Sequence, residues 1–249
     1  MTASRKTALV VGVLFILTFV TSIVGELAYG PVLSDPHYIT GAGADPRVFV
    51  GAFFELFLII SNIGCAVVLF PLLKRQNEAV ALGYVSARIV ECTFILIGIL
   101  SVLAVVTLRQ GATGADAASL VTVGKSLIAI KNWSFLLGPG FIDGIGTGLM
   151  LGWLMYRSGL VPRRVALFGV IGGPMLAGSG AAVLFGLFKA GSPMQGIATI
   201  PEVIWEAYLA IWLTFRGFSP SAFGAGETAY ARADAVRPVD AVYLEASTT

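Results

Sequence analysis

The chain has 249 residues, 57% hydrophobic and only 12% charged, with a formal net charge of +2 and a mean hydropathy of +0.88. A soluble domain carries about twice that charged fraction to cover its surface, so lipid is the expected solvent. The small net charge, without any basic block, argues against nucleic acid as a partner, and two cysteines without metal-ligand spacing argue against a zinc site or a disulfide framework.

Six stretches reach the roughly 20 apolar residues that a bilayer-spanning helix needs. They are predicted at about 8–28, 48–73, 80–108, 133–156, 164–188 and 197–216. The expected fold is therefore all-α, an integral membrane bundle of six transmembrane helices over residues 1–218. The first run follows Arg5 and Lys6 as in a secretory signal, but it is too long for that role and lacks a cleavage site, so it reads as a retained span. The loop after it, Tyr29–Arg47, holds Pro31, Pro36, Pro46 and the only histidine, His37. Short connections at Gln76–Ala79 and Ser158–Arg163 make spans two and three, and four and five, antiparallel hairpins. Ahead of span four, Leu120–Lys131 is mildly amphipathic; it reads either as a helix lying along the outer membrane face or as an extension of span four. Pro174, Pro201 and several glycines interrupt spans five and six, as membrane helices tolerate where neighbours satisfy the freed backbone. From Ser219 the composition turns to Ala, Gly, Asp, Glu and Arg, and 219–249 are expected to be a disordered cytoplasmic tail.

Lysine and arginine placement orients the chain in a cytoplasmic membrane with both termini inside. The inner side then collects Arg5, Lys6, Lys74, Arg75, Arg157, Arg163, Arg164 and Arg216. The outer side has Arg47, Arg109, Lys125, Lys131 and Lys189.

Charges inside the apolar runs are the informative exceptions. One at the bilayer centre costs roughly 2.5–3.5 kcal/mol even on the lenient insertion scale. Glu91, Asp143 and Glu206 each lie about ten residues into their runs, hence roughly 15 Å deep at about 1.5 Å per residue. Asn62 falls near the same level, and Arg88 precedes Glu91 by one turn on the same helix face. These five residues form a candidate midplane polar cluster. Arg88 is expected to keep one acid ionised, leaving another to carry a proton or hold a cation. Glu26, Glu55 and Glu202 sit in the outer portions of spans one, two and six. They read individually as acids reaching outer water and together as an acidic vestibule attractive to cations.

Gly140, Gly144, Gly148 and Gly152 recur every four residues in span four, a ladder that lets another helix approach closely. Its expected partner is span five, through Gly172, Gly173, Gly178 and Gly180; a homo-oligomer face is the second option. A shift of 115 residues places Ile89-Val90-Glu91 on Ile204-Trp205-Glu206, a weak sign of two three-span halves, although spans one and four do not align.

Several blocks carry a family resemblance. They are Arg5–Ala8, Phe70–Arg75, Gly83–Glu91, Trp133–Gly138, Ser158–Arg164 and Pro201–Glu206, followed by Arg216-Gly217-Phe218. The set resembles the bacterial multi-pass membrane proteins grouped as domain-of-unknown-function 4386, over about Arg5 to Phe218. The resemblance implies a helical membrane fold and no established activity.

No motif for a cofactor, a metal or a catalytic dyad occurs, since the lone histidine lies in a loop. The leading expectation is a small transporter- or channel-like protein handling a proton, a cation or a small amine. A membrane scaffold or partner subunit is the alternative. A carboxylate-dependent hydrolase built on Asp143 with Glu206 or Glu91 is the lesser one.

Overall fold

The structure is a computed structural model, described here for residues 2–41, 43–111 and 116–219. Among these residues lie six helices long and apolar enough to cross a membrane. They are α1 (Ala3–Ser34), α2 (Asp45–Leu73), α3 (Glu78–Gln110), α4 (Ala117–Ser158), α5 (Arg163–Leu184) and α6 (Pro193–Phe215). Residues 220–249, most of the expected tail, lie outside the described set.

Most helices begin before their apolar runs because polar residues cap them. Thr2, Asn77, Asp116 and Ser192 each accept a hydrogen bond from a backbone N–H three residues on, satisfying a donor that the helix cannot. Asp116 is exposed, and its carboxyl is held below the usual carboxylate range by the Ser119 hydroxyl and backbone N–H. The fifth span ends earlier than its apolar run. Gly186 takes a left-handed conformation, and Leu187 N–H returns to Ala182 O, which closes α5 at Leu184.

Helices adjacent in sequence pack against each other, and α1 also packs against α6, so the six close into a ring in chain order. Arg5 secures that closure: its guanidinium donates to the carbonyls of Leu213, Thr214 and Phe215 at the end of α6.

Each helix turns a stripe inward at three- and four-residue intervals, the spacing of closely packed helices. On α3 the stripe runs through Ala81, Tyr84, Arg88, Glu91, Ile95, Gly98, Val102 and Val105. On α2 it includes Glu55, Leu58, Asn62, Cys65 and Leu69. The outward faces are apolar instead; Val13, Leu17, Val20 and Leu27 of α1 are exposed at the same intervals. Such a surface suits lipid and no aqueous phase.

The helix α4 is not uniform. Residues Gly138–Ile142 and Gly144–Leu151 are π-helical, and Asp143 N–H bonds to Gly138 O five residues back. Pro139 has no N–H to give, and the surrounding glycines resist wide turns weakly, so the helix loosens here. The residues ahead of it, Ala117–Leu137, continue the same helix. Leu120–Lys131 therefore belongs to an extended span four.

Candidate functional site

The five residues expected at the midplane come together where α2, α3, α4 and α6 meet. Arg88 Nη1 lies 2.6 Å from Glu91 Oε2 and 2.7 Å from Asp143 Oδ1, and its Nη2 is 3.7 Å from Glu206 Oε1. Asn62 Nδ2 donates to the other oxygen of Glu91 at 3.2 Å. Arg88, Glu91, Asn62 and Asp143 are all buried, and Glu206 is partly so. Their inward direction follows from the stripes: Arg88 and Glu91 share one on α3, and Asn62 lies on that of α2.

Glu202 joins this group, not the outer acids with which sequence depth placed it. Its carboxylate, with those of Asp143 and Glu206, offers oxygens all within 4.8 Å of one another. The reason is helix length. Ser192 caps α6 five residues before the apolar run begins at residue 197, so Glu202 lies further along the helix than a count from that residue implies. A signal was present in the sequence: Glu202, Trp205, Leu209 and Leu213 follow the inward interval.

Glycines make the room. A Cβ on Gly148 would lie 2.5 Å from Glu202 Oε2, and one on Gly172 would lie 3.0 Å from it. The ladder itself packs within the chain. Cβ atoms on Gly144 and Gly148 would meet the backbone of Gly173, and one on Gly152 that of Gly169. Gly140 instead abuts its own helix, and Gly180 faces Gly140 O and Phe141; Gly178 faces open space. Trp205, fully buried, donates to Thr147 O at 3.0 Å and ties α6 to the π-helical turn.

Glu26 and Glu55 belong to a second polar layer. Glu55 and Asn62 are seven residues apart on α2, so the layers are about 10 Å apart. The missing partner here is Lys131, assigned from sequence to an outer loop. It is in fact buried, 2.7 Å from Glu55 Oε1 and 3.8 Å from Glu26 Oε2. Its ammonium also faces the rings of Tyr29 and Phe135, at 5.1 and 5.5 Å. Gly98 admits it, since a Cβ there would lie 2.9 Å from Lys131 Cδ. A cavity of about 20 Å³ adjoins Glu26, Glu55 and Lys131, with Leu58 and Ile95 on its wall.

A third constellation closes the end of the bundle. Asp45 is held by Arg109, by Gln110 Nε2 at 3.0 Å and by the Tyr38 hydroxyl at 3.0 Å, which ties the α1–α2 loop to the end of α3.

Chemically, the central group is an excess of acid around one base. Three carboxylates, Glu91, Asp143 and Glu206, surround a single guanidinium, and Glu202 adds a fourth beside Asp143 and Glu206. No curated protein and no solved structure matches the chain. A family model does match, over residues 10–217, and the chain belongs to the family described as Domain of unknown function (DUF4386).

Proposed function

We propose that this protein handles a positively charged species, a proton or a small cation, at the Arg88–Glu91–Asp143–Glu202–Glu206 cluster, as a small transporter or channel does. The observation that carries the reading is the charge balance. With every group ionised, four carboxylates and one guanidinium sum to a charge of −3 in a buried site. Bare buried charge costs several kcal/mol per ion, so protons or cations must neutralise it. Intramembrane acids that depend on a bound positive species are the usual markers of a transport path. The π-helical turn beside Asp143 supports the same reading, because such turns recur at functional sites.

The scaffold alternative draws less support. Its main asset, the glycine ladder, is engaged by α5 of the same chain at Gly144, Gly148 and Gly152. We further propose that both termini face the cytoplasm. Removing buried Lys131 from the far-side cations leaves the terminal side richer still in lysine and arginine.

The test is flux in proteoliposomes loaded with a pH-sensitive dye, driven by an imposed potential or a cation gradient. Single Glu91→Gln, Asp143→Asn and Glu206→Gln variants are expected to lower carboxylate-dependent flux at least ten-fold in one or more cases. Unchanged flux in all three, with each variant folded, ends the proposal.

A further inference from the structure

Within the central group Glu91 is engaged on both oxygens, by Arg88 and by Asn62, and three further carboxylates gather beside it. Asp143, Glu202 and Glu206 bring one oxygen each to within 4.8 Å of the others. Acidity alone would not make this a site, but two further observations point to a ligand. Glu202 is 98% buried, at 2% exposure, and neither of its oxygens accepts a hydrogen bond. Thr147 is fully buried with an unpartnered Oγ1, and it lies about one π-helical turn after Asp143. Its carbonyl receives Trp205 Nε1, and Trp205 lies between Glu202 and Glu206 on α6. Gly148 and Gly172 leave out side chains that would occupy the place of the Glu202 carboxylate. A buried acid lodged in a glycine slot with both oxygens free is oriented for something positive.

We infer that Asp143, Glu202 and Glu206 form a seat for one divalent, oxygen-liganded cation of calcium-like radius, with the Thr147 hydroxyl as a further ligand. The inference rests on the proposed function and deepens it by naming the cation. Three oxygens within 4.8 Å of one another all fit within about 2.8 Å of a common point, so calcium's flexible coordination at roughly 2.3–2.6 Å matches them better than magnesium's strict octahedron at roughly 2.0–2.1 Å. The donor set is carboxylate and hydroxyl, which suits hard cations and gives soft metals no thiolate or imidazole. Charge agrees. A divalent ion reduces the fully ionised cluster from −3 to −1, while Arg88 stays on Glu91 and Asp143.

The experiment uses the full chain, purified in nanodiscs and stripped with chelator, titrated calorimetrically with CaCl2 and with MnCl2. Saturable binding of one ion per chain is expected, weakened at least ten-fold in Glu202→Gln and unchanged in Glu78→Gln, whose side chain is exposed at the start of α3. Should Glu202→Gln fail to fold, infrared difference spectra of the unmodified protein decide the matter. Calcium must then shift carboxylate stretching bands. Absence of saturable binding to folded protein, equal affinity in folded Glu202→Gln, or no band shift overturns the seat. Proton flux that depends on Glu206 without ion binding removes the seat and leaves the proposed function standing. Ion binding without any flux does the reverse.

Discussion

Arg88 concentrates the energetics of the centre. Its two closest partners, Glu91 and Asp143, are buried with it, so removing the guanidinium leaves uncompensated buried charge. Arg88→Gln is expected to cost about 3–5 kcal/mol, the usual range for breaking a buried pair on one side. Denaturant titration in micelles measures it, and Glu91→Gln with Asp143→Asn in the same chain should recover part of the loss. Lys131 repeats the situation in the second layer. Lys131→Met should cost a similar amount by stranding Glu55, whereas Glu26→Gln should cost under about 1 kcal/mol because Glu26 is half exposed and 3.8 Å away. Neither the role of Lys131 nor the depth of Glu202 was legible from run length. Both residues lie in helices that start well before their apolar stretches, because Asp116 and Ser192 cap them early.

The α4–α5 pair shows what the glycines do. A side chain at Gly148 has no space, being opposed by Gly173 and by the Glu202 carboxylate, while Gly178 meets nothing. Gly148→Ala should therefore destabilise by about 1–3 kcal/mol through overpacking and displace Glu202, but Gly178→Ala should be neutral or slightly stabilising. Micelle denaturation of the two variants side by side checks the contrast. A four-residue repeat on span four was readable in the sequence. That the helix widens around Asp143 was not, since Pro139 and glycines permit a π-helical turn without requiring one.

The ring as a whole is held by fastenings at both ends. Arg5 joins α1 to the last carbonyls of α6, and Arg5→Ala should cost about 1–2 kcal/mol, the low end for charged hydrogen bonds because the side chain is partly exposed. Cross-linking of cysteines placed across the α1–α6 seam should slow accordingly. At the other end, Tyr38 has its phenol pushed up to about 12, first by burial and then by its hydrogen bond to Asp45. The folded state prefers the neutral phenol, so this fastening is fully present below the ordinary value of 10.0 and is lost as pH rises towards about 12. The melting temperature should fall across that window, and Tyr38→Phe should flatten the pH dependence.

The six apolar runs by themselves dictate a helical membrane protein, because continuous apolar stretches of about 20 residues satisfy their backbone in lipid as helices, whereas barrel strands are shorter and alternate. They also place Glu91, Asp143 and Glu206 at comparable depth, since rise per residue is constant along a helix. Depth carries no information about rotation or about where a cap starts the count. Those two quantities, decided by packing the ring, put Glu202 beside Asp143 and Lys131 beside Glu55. The balance of charge at the centre is thus a property of the assembled bundle, where one guanidinium and four carboxylates from three helices are brought together.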